Sequence, residues 1–288
     1  MPATQYEAPQ TLADAIRMMN TDPRAAPLAG GTDLLIQFRA GVKAPTSFID
    51  LKRIPEMMGM TIDDDGLRLG AATPAIDIVA SGEVQRWWPG FAEAVRLIGS
   101  TQIQGRGSVG GNLCNASPAA DTTCALIVNR AECVIAGPRG ERRVPVEAFC
   151  TAPGRTVLER GELLAAIHLP RCEAGTADAY LRLIPRSEMD IAVAGAGVSI
   201  TLDGHGICRA ARVAIGAVAP TALLVPEAAD ALVGSRLDDQ ALGRAAEAAS
   251  RAARPIDDKR GTAAYRRAVV GVLTRRAAAI AAQRARER

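Results

Sequence analysis

The chain has 288 residues, 48% of them hydrophobic but only 3% aromatic, and a net charge of +3 with both signs mixed along its length. That length suits about two domains, with a core built from Ala, Val, Leu and Ile. No basic tract argues for nucleic acid, and no apolar run approaches the ~20 residues of a membrane span. The opening MPATQYEAPQTLADAI lacks the basic and apolar regions of a secretory signal, so the cytoplasm is the expected compartment.

In chain order, Thr11 and Asp14 form a variant capping box that opens a helix through Met19, and Asp22-Pro23 stops it. Residues 25–29 (AAPLA) read as a short buried strand running into the turn Gly30-Gly31-Thr32-Asp33. LLIQFRAG follows, with Gly41 as a stop, and then the strand SFIDL. A strand over 67–71 follows the Asp65-Gly66 turn. Short helices are predicted over 76–80 and 91–98, the second from Phe91, Val95 and Ile98 on one face. A helix over 121–129 and strands over 132–136 and 163–169 complete the first half. In the last strand Leu163, Ala165, Ile167 and Leu169 lie on one face.

Residues 170–179 (PRCEAGTADA) read as a loop and mark the domain boundary. Beyond it, DIAVAGAGVSITL and CRAARVAIGAV are long apolar strands joined through Asp203-Gly204-His205-Gly206 as a hairpin, and Pro220 ends the sheet. Helices are predicted over 226–233, 239–253 and 262–284. In the last, Tyr265, Val269, Val272 and Ile280 share a face and Arg fills the others. The terminal RRAAAIAAQRARER reads as a solvated helix end, and Trp87-Trp88-Pro89 as a packed loop.

Residues 105–110, GRGSVG, spell the G-x-G-x-x-G of a dinucleotide site. The Rossmann fingerprint needs a strand before it and a helix opening within it. Here a helix precedes, and Asn112, Asn115, Ser117 and Pro118 read as loop, so the sequence argues against that fold. The glycines still serve close approach of backbone amides to an anion. A second such turn, AGGTDLL at 29–35, lies about 75 residues upstream. Two turns, each followed by short hydrogen-bonding side chains, suit a ligand with two phosphates. Thr32, Ser108 and Asn112 add donors, whereas Asp33 and Asp121 are acceptors for hydroxyls.

The six cysteines form no C-x-x-C and none lies near a suitable His, so they read as buried small hydrophobes, not as zinc or cluster ligands. The only two histidines, His168 and His205, fall in a strand and a turn, away from the glycines.

These stretches together resemble the FAD-binding medium subunit of the molybdenum hydroxylases, the family of xanthine dehydrogenase and aerobic carbon monoxide dehydrogenase. The resemblance runs nearly end to end, through YEAPQTLADAIRMM, AGGTDL, FIDLKRIPE, DGLRLGAATP, IGSTQIQGRGSVGGNLCNASPAAD, GELLAAIHLP, MDIAVAGAG and RPIDDKRGTAAYRR. It implies an α+β fold: a vanillyl-alcohol-oxidase or PCMH-type FAD-binding domain over 1–175, with α+β subdomains of about 1–55 and 56–175. A C-terminal domain over 176–288 follows, of the carbon monoxide dehydrogenase flavoprotein type, with a small antiparallel sheet and helices.

By the same resemblance, Leu28, Ala29, Gly30, Gly31, Thr32, Asp33 and Leu34 wrap one side of the FAD pyrophosphate. Gly107, Ser108, Gly110, Gly111 and Asn112 wrap the other. Asn115 and Asp121 bind the ribityl region, Leu164 lies against the flavin or adenine, and Arg182 stands where some relatives place a Lys near the flavin ring. Ile98 replaces an aromatic that some relatives carry there. The implied FAD is non-covalent. The implied partners are a large subunit with molybdenum cofactor and a small subunit with two-iron clusters, as a dimer of heterotrimers. Electrons pass from the clusters to FAD and on to NAD⁺, O₂ or another acceptor. Two rivals stand beside this reading: a self-sufficient flavoenzyme of the same fold, with Ser187 and Glu188 as the available polar groups, and an FAD-binding scaffold without electron flow.

Gly111→Asp is expected to abolish flavin binding, because a carboxylate would meet the pyrophosphate where only backbone fits. Full FAD content in the purified variant would overturn the assignment of the second turn.

Overall fold

The computed structural model describes residues 4–288. Strand β1 (Gln5–Glu7), helix α1 (Leu12–Thr21), β2 (Ala26–Leu28), α2 (Leu34–Arg39) and β3 (Ser47–Asp50) make the first unit. Its strands are parallel in the order β1-β3-β2, and α1 and α2 lie in the crossover connections that parallel strands require. Thr11 caps α1 as expected, its Oγ1 accepting from the Asp14 amide at 3.1 Å. Asp14 is too short to reach back to the cap backbone and accepts from the Thr11 hydroxyl at 2.8 Å. In β2 only Leu28 is buried.

The second unit begins with β4 (Met60–Ile62) and β5 (Gly66–Gly70). Six short helices follow: α3 (Ala75–Ala80), α4 (Gly82–Trp87), α5 (Pro89–Arg96), α6 (Thr101–Gln104), α7 (Val109–Asn115) and α8 (Asp121–Val128). Then come β6 (Glu132–Gly137), β7 (Gly140–Pro145), α9 (Val146–Phe149), the small hairpin β8 (Cys150–Ala152) and β9 (Arg155–Thr156), and β10 (Leu163–Pro170). The antiparallel sheet has the order β4-β5-β10-β6-β7. β10 is its central strand, paired on both edges, and it is buried on both faces. Leu164 and Ala166 are buried as deeply as Leu163 and Ile167, and a register shift between Leu164 and Ala166 breaks the simple alternation.

The glycine run after α6 corrects the sequence reading in one respect. α7 opens within GRGSVG, with Ser108 as its N-cap, so Asn112 and Asn115 lie on a helix, not in a loop. Ala116 ends it in the left-handed conformation, φ 48°. No strand precedes the run, and the surrounding sheets are not a doubly wound parallel fold.

The third unit is the antiparallel sheet β11 (Thr176–Leu183), β12 (Ala194–Leu202), β13 (Cys208–Gly216) and β14 (Leu223–Leu224), in that order, followed by α10 (Pro226–Asp230), α11 (Asp239–Ala252) and α12 (Ala263–Arg286). β11 occupies the second half of the segment expected to be a loop, and β14 lies beyond the Pro220 expected to end the sheet. α12 also turns a different face inward. Val270, Leu273, Ala277 and Ala281 are buried, while Tyr265 and Val272 are about half exposed. Small side chains bring the helix close to the sheet and to α11: a Cβ on Gly271 would lie 2.9 Å from the Ala246 carbonyl oxygen. Arg266 is buried, donating to the Val193 carbonyl at 2.8 Å and paired with Asp258 at 2.7 Å. The end of α12 is not simply solvated either: Arg284 pairs with Glu93 and donates to the Asp178 carbonyl at 2.9 Å. No helix among the described residues is long and apolar enough to cross a membrane.

Helix α8 joins the second and third units. All eight of its residues are buried, the apolar Cys124–Val128 together with the polar first turn Asp121–Thr123. It lies directly on β12 and β13. A Cβ on Gly197 would be 3.0 Å from the Cys124 backbone carbonyl, and one on Gly216 would be 2.9 Å from the Cys124 Sγ.

A second tie runs from β11 to the start of α5. The buried Asp178 carboxylate accepts from the Gly90 and Phe91 amides, each at 2.9 Å, and from the Asn129 side chain at 2.6 Å. It therefore satisfies two of the free first-turn donors of α5 from 88 and 87 residues away. Asp178→Ala would strand both amides in the interior, which costs about 2–4 kcal/mol. Urea unfolding should show that loss, and a change below about 0.5 kcal/mol would contradict this account of the junction.

Candidate functional site

The first glycine turn leaves β2 and enters α2. Gly31 has φ +75°, a conformation that favours glycine, and its carbonyl accepts from the Leu35 amide at 3.0 Å to start the helix. The turn is anchored from β3. Lys52 Nζ donates to the Ala29 carbonyl at 2.8 Å and to Asp50 at 2.5 Å. Asp50 in turn accepts from the Tyr6 hydroxyl at 2.5 Å. Burial alone would raise the Asp50 pKa, but these hydrogen bonds hold it below the usual carboxylate range.

The second turn leaves α6 and enters α7. The Gly107 carbonyl accepts from the Ala75 amide at 2.8 Å, which ties the turn to α3. Ser108 Oγ accepts from the Gly111 amide at 3.0 Å. Gly110 packs on the end of β5: a Cβ there would stand 2.3 Å from the Ala71 carbonyl oxygen.

The two turns touch. A Cβ on Gly30 would lie 1.9 Å from the Arg106 carbonyl oxygen and 2.8 Å from the Gly107 Cα. Only glycine permits this approach, and it fuses both turns into one wall of a cleft of about 270 Å³. Across the cleft, Gln37 on α2 donates to Asn115 Oδ1 on α7 at 3.0 Å.

The structure brings most of the expected site residues together. Ala29, Gly30, Gly31, Thr32, Asp33, Leu34, Gly107, Ser108, Gly110, Gly111, Asn112, Asn115 and Leu164 all line the cleft, as does Ile98. Leu28 does not: its side chain is buried beneath the turn. Asp121 and Arg182 do not line it either. They pair with each other at 2.5 Å, and Asp121 also accepts from the Tyr180 hydroxyl at 3.0 Å. Asp121 is pushed up to about 6 by burial, against the pull of Arg182 and Tyr180, so it is largely ionised at neutral pH. The pair stands behind the cleft wall: Thr122, next to Asp121, donates to Asn112 Oδ1 at 2.7 Å.

Sequence reasoning missed several lining residues. Gln37 and Lys43 come from α2 and the segment after it, Met57 and Ala71 from either end of the β4–β5 hairpin, and Glu162 from just before β10. Gln37 sits one helical turn past Asp33, a spacing that places both on one face of α2.

The cleft suits a pyrophosphate bearing hydroxylated groups. It offers backbone at both turns, Thr32 without a side-chain partner among the described residues, and an Asn112 amide whose nitrogen is unclaimed. A Cβ on Gly111 would meet only Ser108 Oγ, at 3.1 Å, so a longer side chain there would project from the wall. Of the two lining acids, Glu162 is neutralised by Arg142, which donates to both its oxygens at 2.8 and 2.7 Å and holds its pKa down. Asp33 is the other; its pKa is raised by burial and moderated by Lys43, and its carboxylate is free to accept from a hydroxyl. Cys114 also lines the cleft, with its side chain exposed there. His168 sits on β10 opposite Arg68 and Glu132, and His205 in the β12–β13 turn; neither lines the cleft.

Comparison with known proteins identifies the family and the fold. A family described as the FAD binding domain in molybdopterin dehydrogenase matches residues 2–172, and the CO dehydrogenase flavoprotein C-terminal domain matches residues 179–281. The chain is 34% identical to the carbon monoxide dehydrogenase medium chain of Hydrogenophaga pseudoflava, covering 96% of each. It is 32% identical to the xanthine dehydrogenase FAD-binding subunit of Escherichia coli O157:H7, covering 94% of this chain and 93% of that one. Among solved structures, carbon monoxide dehydrogenase from Hydrogenophaga pseudoflava superposes with a TM-score of 0.94 at 34% identity over 99% of both chains. Quinoline 2-oxidoreductase from Pseudomonas putida 86 gives 0.91 at 28% identity, over 99% of this chain and 98% of that one.

Gly30→Ala tests the contact between the turns. The added methyl forces two backbones apart, an overlap worth about 1–3 kcal/mol, and flavin content at a fixed FAD concentration should fall several-fold. Gly82→Ala, where a Cβ meets nothing within 4 Å, should leave it unchanged. Equal flavin content in both variants would show that the contact does not shape the site.

Proposed function

This chain belongs to the FAD-binding medium subunits of the molybdenum hydroxylases, and we propose from that footing how it holds its cofactor and what it does with it. It is the FAD-carrying oxidoreductase subunit of a complex of the xanthine dehydrogenase and carbon monoxide dehydrogenase type. Its partners are a large subunit with molybdenum cofactor and a small subunit with iron–sulfur clusters. The bound FAD supplies electron exchange between the clusters and a final acceptor, NAD⁺, O₂ or another.

The observation that carries the site assignment is the backbone contact between the two glycine turns. Ala29–Leu34 and Gly107–Asn112, side by side in one wall, each hold one phosphate of the pyrophosphate. Thr32 and Asn112 donate to it, Asp33 and Asn115 accept from hydroxyls, and Leu164 and Ile98 give apolar contact. Leu28 supports the first turn from below. Asp121 and Arg182 act from behind the wall: their pairing fixes the start of α8, and through Thr122 the orientation of Asn112. The FAD-binding domain spans residues 1–175, divided near residue 55, and the C-terminal domain spans 176–288. The assembly is a dimer of heterotrimers working in the cytoplasm.

The self-sufficient rival needs a general acid beside the flavin. Ser187 and Glu188 are exposed between β11 and β12 and do not line the cleft, which favours the subunit reading.

The scaffold rival is separated from electron transfer by one mixing experiment. The small subunit is reduced chemically, freed of reductant and combined without oxygen with the FAD-loaded chain. Flavin absorbance should bleach as the reduced-cluster spectroscopic signal is lost. Flavin that stays oxidised beside a reduced cluster in an assembled complex would leave FAD a structural element only.

A further inference from the structure

A second cavity, of about 310 Å³, lies away from the cleft, where the end of α8 stops short of covering the β11–β12–β13 sheet. Its floor is Ser199 and Thr201 of β12 and Thr176 of β11; its rim carries Arg130, Arg171, Arg209 and Arg212. The register explains the grouping. Thr201 pairs with Thr176 and Ala210, and Ser199 pairs with Arg212, so these residues sit on one sheet face.

The polar groups there are incompletely used. Ser199 is 8% exposed and has no side-chain hydrogen bond among the described residues, although its side chain lines the cavity. The Thr176 and Thr201 hydroxyls bond each other at 2.8 Å, which leaves one hydroxyl proton to donate. Two of the four arginines have carboxylate partners: Arg212 with Glu147 at 2.9 Å, and Arg209 with Glu173. Arg212 also takes the Ile127 carbonyl at 3.0 Å, so it covers the negative end of α8 that would otherwise repel an anion. Arg130 and Arg171 have no carboxylate partner among the described residues. Arg171 instead lies over the Trp87 ring at 4.0 Å and donates to the Asp63 backbone at 3.1 Å.

We propose that this cavity is a binding site for a phosphomonoester, such as a sugar phosphate or nucleoside monophosphate. Guanidinium groups match phosphate oxygens with paired donors, and buried hydroxyls complete the shell. The cavity exceeds what a bare phosphate fills, and Val128, Pro170 and Ala211 on its walls suit the organic body. The site is separate from the FAD cleft, and the proposal does not rest on the FAD reading.

The test uses the full chain saturated with FAD, so that the cleft is closed to competing nucleotides. Binding of adenosine monophosphate, adenosine and inorganic phosphate is measured by calorimetry at low ionic strength. Adenosine monophosphate should bind at least roughly tenfold more tightly than adenosine and weaken as salt is raised. Arg130→Glu should cut that affinity roughly tenfold or more, and Ser199→Ala several-fold, with FAD content unchanged in both. Inorganic phosphate binding as tightly as the monophosphate would remove the organic body from the proposal and overturn the phosphomonoester class. Equal affinity for adenosine and its monophosphate, or affinity indifferent to Arg130→Glu in a variant with full FAD content, would overturn the site itself.

Discussion

Two stretches of backbone meet where Gly30 lies against Arg106 and Gly107, and the shape of the cleft follows from that contact. Any side chain at position 30 would occupy the space of the Arg106 carbonyl. The turns converge from different units: one follows a parallel strand, the other a helix, and about 75 residues separate them. Each is pinned independently. Lys52 just past β3, Asp50 at its end and Tyr6 on β1 hold the first, while the Ala75 amide and the Gly110–Ala71 contact hold the second. Anchors built from hydrogen bonds and close packing leave little freedom for the wall to relax. A preorganised wall is what a pyrophosphate site requires, since ordering backbone at the moment of binding would subtract from affinity.

The C-terminal unit reaches the cleft through α8. That helix is apolar from Cys124 onward, and its polar first turn begins at Asp121, which meets Tyr180 and Arg182 of β11. Burying such a pair is costly unless its hydrogen bonds are complete, and here Arg182 Nε has no protein partner. The pair sets where α8 begins, and Thr122 transmits that position to Asn112 on the cleft wall. Gly197 and Gly216 let the same helix lie flat on β12 and β13. The C-terminal sheet is thus a mechanical support of the site without lining it.

Much of this was legible in the sequence wherever one residue type has one physical role. Glycine pairs at 30–31 and 110–111, the Thr11 cap, the Asp203–Gly206 hairpin and the helix over 121–129 all carried such signals, and the long specific motifs carried the family. Short elements such as β8, β9 and β14 have two or three residues each, too few to show a period. α7 was hidden because Asn and Ser favour loops until Ser108 caps a helix. α12 misled for the opposite reason: alanine supplies much of its inner face beside Val270 and Leu273, so Tyr265 and Val272, which are exposed, stood out as apolar markers. The cleft residues Gln37, Lys43 and Glu162 were beyond reach, because only tertiary contact brings them to the glycines. Arg182 and Asp121 were expected at the flavin, but they pair behind the cleft wall, an arrangement that depends on the docking of β11 against α8.

The central claim is that two touching glycine turns grip the two phosphates of one pyrophosphate. Comparing the affinities of the cofactor-free chain for FAD and FMN tests it directly, because FMN has the flavin and a single phosphate but no pyrophosphate and no adenosine. Losing two charge-assisted contacts predicts FAD binding tighter by roughly a hundredfold or more. Comparable affinities for FAD and FMN would mean that the turns do not hold a pyrophosphate, and the account of the cleft would fail.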